Sequence, residues 1–198
     1  SAWDHYDLLY QSNAVPGINS PEQLRNFSPQ LVTAQGQDFN HFWFYSFTAA
    51  LIAELGDYSG LAIPLHTAFL ILHCLLLTML LVIAVHFYGW PGLFTALILT
   101  LLSPAFWYLD KVHTEFFTFV TTSIAVIFFL KRRHFASALC LALAATQNIS
   151  FLLVSLAVLA WGIYQQGRQK WTPTTIVLIV ATLAFNALHP LYYLMRFG

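Results

Sequence analysis

The run AFLILHCLLLTMLLVIAV, residues 68–85, constrains this chain more than any other stretch, because it carries no charge and no alternation of polar with apolar side chains. An apolar α-helix of about 20 residues crosses a hydrocarbon layer of roughly 30 Å. The run lies within an uncharged segment at 61–88, and others follow at 91–109, 116–130, 134–146, 149–164 and 174–188. A transmembrane β-barrel needs segments of about ten residues in strict alternation, which these runs lack. With 59% hydrophobic and 8% charged residues, the expectation is an all-α, polytopic transmembrane helical bundle of six spans. The aromatic-led segment 41–55 is either a seventh span or an interfacial helix, since Trp and Tyr favour the headgroup level.

The organisation follows from the same reading. Residues 1–60 form a long first loop with short interfacial helices, and residues 61–198 form the transmembrane domain. Within the loop, Ser20-Pro21-Glu22-Gln23 has the order of a helix start, with an N-cap, a proline at the first helical position and a carboxylate in the first turn. YGWPG at 88–92 makes a turn. The pair 134–146 and 149–164 is broken at TQN, residues 146–148. Fusing the pair into one helix would place the cations of 131–133 and those of Arg168 and Lys170 on opposite faces, against the rule that cationic loops stay cytoplasmic. The hairpin is preferred. Cys74 and Cys140 both lie in apolar runs and form no metal or disulfide pattern. The chain opens at Ser1 without Met or a targeting segment and stops at Gly198, so it is expected to be an excerpt or a processed chain.

Lys131, Arg132 and Arg133 mark one face as cytoplasmic. All eight acidic residues, Asp4, Asp7, Glu22, Asp38, Glu54, Asp57, Asp110 and Glu115, then fall on the other face. Residues 134–146 make only about 20 Å of helix, so the TQN turn stops short of the outer headgroups. Backbone breaks at such depth need protein or a watery cavity around them. The segment 116–130 is also short, so the turn LDKVHT at 109–114 sits slightly sunken.

Three constellations could carry chemistry. Asp110, His113 and Glu115 can point from the sunken turn into a polar cavity, and ionisable groups near membrane depth are functional candidates; alternatively this is a connecting loop in water, with Lys111 pairing Asp110. Asp4, His5 and Asp7 could bind a metal or activate a hydroxyl, or be solvated loop residues. Thr146, Gln147 and Asn148 could bind a ligand or cap the helix break. His66 and His73, on one helix, are poorly placed for one haem, and a core histidine hydrogen-bonded to a neighbouring helix is the expectation. No Gly-rich phosphate loop, HExxH, GxSxG or CxxC pattern is present, which argues against a soluble nucleotide-binding module, and no nucleic-acid surface is visible.

The order of DHY at 4–6, FNHFWFYSFTAALIAELG at 39–56, SPAFWYLDKVHTEFFTF at 103–119, KRR at 131–133 and ALCLALAATQNISFLL at 138–153 resembles the N-terminal module of integral-membrane GT-C glycosyltransferases. These are the bacterial mannosyltransferase-like enzymes that use polyprenyl-phosphate sugars. The pattern is DHY where such enzymes have D-x-x-H-Y or D-E-x-H-Y. The family's first transmembrane helix and carboxy-terminal half have no counterpart here. The resemblance implies inverting sugar transfer from a polyprenyl-phosphate donor at the extracytoplasmic face of a bacterial inner membrane. It implies Asp4, with Asp7 as second choice, as the base on the acceptor, and Glu115 as a further catalytic carboxylate. His5, Asp110, Lys111, His113, Gln147 and Asn148 would bind substrate, with a divalent cation allowed at the acidic loops and no other cofactor. The partners implied are the lipid bilayer and the lipid-linked sugar. Two rival readings are a non-catalytic membrane subunit packed on partner proteins and a transporter or flippase using Asp110, His113 and Glu115 as a relay.

Overall fold

The computed structural model describes residues 32–33, 36–37, 44–167 and 171–197. The chain divides into two units, Ser1–His41 with Leu194–Gly198, and Phe42–Tyr193. In the first, β1 (Val32–Thr33) and β2 (Gly36–Gln37) pair antiparallel, Val32 opposite Gln37. The expected helix start at Ser20 lies outside the described residues.

Apart from that ladder, the described elements are helical: α1 (Phe44–Tyr58), α2 (Leu65–Leu101), a 3-10 helix (Pro104–Tyr108), α3 (Thr114–Leu130), α4 (His134–Ala145), α5 (Ser150–Gln166) and α6 (Pro173–Phe197). Two of these are long and apolar enough to cross a membrane, α2 and the Pro173–Tyr192 part of α6; α3, α4 and α5 are apolar but shorter.

The continuity of α2 is only nominal. Gly89 sits at φ 64°, ψ −150°, a region essentially reserved for glycine. Pro91 follows, where a missing N–H costs nothing at the first turn of a new helix. A straight helix of this length would measure about 55 Å, yet the His73 ring bonds the Leu109 carbonyl at 2.8 Å. The chain therefore doubles back at Gly89, as the YGWPG turn predicts. Gly92 makes the return close: a Cβ there would fall on the Ala84 carbonyl oxygen and within 2.7 Å of the Tyr88 Cβ. The returning limb is shorter than the expected 91–109 run. Pro104 pushes Ser103 into extended backbone, and the Ser103 hydroxyl then caps the 3-10 helix by accepting from the Ala105 N–H at 3.2 Å.

Cross-helix hydrogen bonds establish the alternation of the rest. The Ser137 hydroxyl donates to the Ala125 carbonyl and that of Ser155 to the Ala138 carbonyl, both at 2.8 Å. Asn186 donates from Nδ2 to the Ser155 hydroxyl at 2.9 Å. Each pair is symmetric about an intervening turn, so α3/α4, α4/α5 and α5/α6 are antiparallel hairpins. The TQN break is thus a reversal, not a bend in one helix. Small residues at these contacts and hydroxyls spent on neighbouring carbonyls are the packing mode of apolar helices in lipid, where water is not there to satisfy them.

Helix ends account for the remaining departures from expectation. The α3–α4 turn closes by two backbone bonds, from the Arg132 N–H to the Phe129 carbonyl and from the Arg133 N–H to the Phe128 carbonyl, the Schellman pattern. Its left-handed residue is Arg132, at φ 56°, where glycine is the usual choice. α6 runs through Pro190 rather than stopping near 188. The proline removes the one backbone donor that would have reached the Asn186 carbonyl, and the helix continues past it.

The core of the Phe42–Tyr193 unit gathers Tyr45, Phe69, Leu76, Leu80, Phe116, Val120 and Ile124 from α1, α2 and α3. One end of the bundle holds the 88–91 and 131–133 turns, with Lys131 Nζ 3.9 Å from the Tyr88 ring centre and Arg133 5.2 Å from that of Phe87. The 109–113 turn lies at the other end.

Candidate functional site

The 109–115 turn is built around a histidine that lies far away in sequence. His73 is 1% exposed, with Nδ1 2.8 Å from the Leu109 carbonyl and Nε2 2.7 Å from the Tyr45 hydroxyl. A carbonyl only accepts, so Nδ1 carries the hydrogen and Nε2 takes the phenol's proton as an acceptor. The His113 backbone N–H lies near the Tyr45 oxygen and donates to the Lys111 carbonyl at 2.8 Å. The result is a directional pair of hydrogen bonds from Tyr45 through His73 to Leu109, tying α1 and α2 to the start of the turn. Burial pushes the Tyr45 phenol above its ordinary range, and the His113 N–H partly offsets this. α1 lies outside the two candidate spans. Of the two candidate core histidines on α2, His73 is the hydrogen-bonded core residue expected, whereas His66 is exposed.

His73 lies eight residues into α2, about 12 Å along the helix. The turn is therefore anchored about two helical turns along α2 from its start. Its ionisable side chains point outward from this anchor. Asp110 is 79% exposed and lies 4.0 Å from Lys111 Nζ, whose ammonium also sits 4.6 Å from the Trp107 ring centre. That is the pairing of the connecting-loop reading, worth little at such exposure. His113 Nδ1 forms an ion pair with Glu115, and the His113 ring packs 4.9 Å from that of Tyr108. Glu115 is in the first turn of α3, where the helix dipole favours a carboxylate. It also accepts from the Thr114 hydroxyl at 3.2 Å.

The second group behaves as a helix break satisfied by its own residues. The Thr146 hydroxyl donates to the Leu143 carbonyl at 2.7 Å, Gln147 Nε2 donates to the Thr146 hydroxyl at 3.1 Å, and Asn148 Oδ1 accepts from the Ser150 N–H at 3.1 Å. Gln147 Oε1 is buried without a hydrogen-bond partner, so one acceptor remains for a ligand or a water. Asp4, His5 and Asp7 lie outside the described residues.

Among the described residues, no three His, Cys, Asp or Glu side chains gather where they could hold a metal. His113 and Glu115 alone do not make the oxygen-rich shell of six or more ligands that a hard divalent cation prefers.

Two polar elements escape sequence reasoning. Tyr45 is hidden in the aromatic run FWFYSF, and its partner His73 is 28 positions away. The Ser155–Asn186 pair is buried between α5 and α6. Its local trace is one polar side chain within each of two mostly apolar helices.

No protein-family model matches the chain, and no curated protein or solved structure matches it either.

Proposed function

We propose that the chain is the membrane-embedded module of a GT-C-like glycosyltransferase, acting on a polyprenyl-phosphate sugar at the extracytoplasmic face of a bacterial inner membrane. Its six spans are the two limbs of α2, then α3, α4, α5 and α6, with α1 and the residues before it forming the extracytoplasmic loop. Lys131, Arg132 and Arg133 mark the cytoplasmic end.

One observation carries the reading: the His113–Glu115 pair belongs to a turn held two helical turns into the bundle by His73. A lipid-linked donor approaching sideways through the bilayer would present its phosphate at about that depth. Asp4, or Asp7 in its place, accepts the acceptor's hydroxyl proton while the oxygen attacks the anomeric carbon. The bond from that carbon to the phosphate oxygen breaks, with inversion, and polyprenyl phosphate departs. Lys111 or a protonated His113 steadies the charge on the departing phosphate, and Glu115 holds the imidazole in place. His5, Asp110, Gln147 and Asn148 contact the sugar or acceptor.

The test is release of polyprenyl phosphate from lipid-linked sugars by the full-length protein. Asp4→Asn is expected to lower turnover about a hundredfold or more, as loss of a general base does, with a smaller loss for Glu115→Gln. Equal turnover in wild type and both variants discards the reading.

A second reading, a non-catalytic subunit, has its own support. The most apolar stretch of α6 is only 11% buried, and Ile176, Val180 and Leu183 are exposed at helical spacing along one face. Such a stripe fits lipid or a neighbouring helix. Cross-linking from Val180→Cys to another protein, without any release of polyprenyl phosphate, would favour it.

A further inference from the structure

The opposite end of the bundle holds a feature that sugar transfer does not use. The hairpin limbs of α2 and the face of α3 enclose a groove of about 530 Å³, within the range of small-ligand pockets. Its lining is almost wholly apolar, from Leu80, Ala84, Ala96, Phe119 and Leu130 among others, relieved by Thr95 and Ser123. Tyr88 and Leu130 line its end nearest the 88–91 and 131–133 turns. From there it reaches back to Leu80 on one side and Phe119 on the other, about 12 to 16 Å at 1.5 Å per residue. That depth is about half of a 30 Å hydrocarbon layer, the extent of one leaflet. A partner helix would have to run the full thickness.

That end is cationic. Lys131 Nζ lies over the Tyr88 ring at 3.9 Å, Arg133 flanks it over Phe87, and Arg132 is exposed. No carboxylate pairs with any of the three among the described residues. Arg132 holds its charge there from a left-handed backbone position that glycine would occupy more easily. α4 begins at this point with no side-chain cap on its first turn, so its free N–H groups add to the positive field.

From these features we infer an anionic phospholipid site: one acyl chain lies in the α2/α3 groove and the phosphate sits among Lys131, Arg132, Arg133 and the start of α4. The inference rests on the membrane-spanning reading but not on sugar transfer. It names the phospholipid of the cation-bearing leaflet as occupant, because charge and depth both match one lipid molecule.

The full chain in neutral detergent, probed by native mass spectrometry, tests it. Phosphatidylglycerol should be retained at least about tenfold more than phosphatidylcholine, and glycerol phosphate, which has no tail, should not be retained. Arg132→Gly should abolish the preference while raising the unfolding temperature, an opposition that a purely structural role for the residue would not produce. Thr95→Phe, which fills the groove from an exposed position, should lower retention of both lipids. Equal retention of the two lipids, an unchanged preference in Arg132→Gly, or a second protein trapped by a cross-linker at Thr95→Cys would overturn the proposal. Complete release of the chain from membranes by alkaline carbonate would show instead that the spanning reading itself had failed.

Discussion

Replacing His73 with phenylalanine probes the hydrogen bonds that hold the 109–113 turn, because an aromatic ring is kept while both nitrogens are lost. The side chain is 1% exposed, so water cannot take over. The substitution removes the 2.8 Å bond to the Leu109 carbonyl and the 2.7 Å bond from the Tyr45 hydroxyl. Each lost bond is worth about 1 kcal/mol net, and each buried group left unsatisfied adds about 1 to 3 kcal/mol. Interhelical bonds in membrane proteins average only about 0.6 kcal/mol, because the reference state finds other partners. The fixed and buried geometry of both partners here places His73→Phe nearer the upper range, at about 3 kcal/mol. Tyr45→Phe leaves the buried Nε2 without its donor, for about 2 kcal/mol. Because the two changes share one bond, the double variant should fall short of their sum by about 1 kcal/mol. Reversible unfolding in mixed micelles titrated with SDS, followed by circular dichroism, measures all four corners of the cycle. Additivity within about 0.5 kcal/mol, the behaviour of independent sites, would refute a coupled network.

Two further substitutions probe the hairpins by the same titration. Gly92→Ala should destabilise by about 2 kcal/mol or more, because the new methyl meets the Ala84 backbone, which cannot rotate away as a side chain would; an effect under 0.5 kcal/mol would mean that the limbs do not approach as closely as they do here. Ser155→Ala should lose about 1 to 2 kcal/mol by stranding Asn186 Nδ2, and adding Asn186→Leu should recover most of it, since removing both partners is nearly neutral. If the second change instead deepens the loss, Asn186 has a role beyond this bond.

The reversals were legible in the sequence because their residues declare themselves locally. Gly89 and Pro91 make the first turn, the cationic stretch at 131–133 makes the second, and the TQN break falls where a short apolar helix has to stop. Helix ends were less legible, since they depend on single caps and on backbone that the surrounding packing tolerates. Ser103 and Pro104 cut the returning limb of α2 short, and α6 continues through Pro190. The Tyr45–His73–Leu109 network was only half legible. A buried histidine in an apolar helix has to find a partner, but nothing near it in sequence says which one. The candidate residues in 110–115 were found as a cluster, yet the pairing of His113 with Glu115 rather than Asp110 depends on where α3 starts.

The position of the 109–113 turn and the onset of charge beside it have one physical cause. Leu109 is the last residue of an uncharged segment and Asp110 the first ionisable residue after it; the His73 bond falls on Leu109 itself. The neutral, fully directed chain through His73 and Tyr45 can be buried because it carries no net charge and leaves none of its linking donors empty. The charged side chains begin one residue later, where Asp110 is 79% exposed and hydration is still available. Moving the anchor by one residue toward Asp110 would draw a carboxylate toward the apolar core, against a desolvation penalty of several kcal/mol. The position of His73 on α2 thus sets where the turn packs against the bundle, and the onset of charge at Asp110 sets why it packs no deeper.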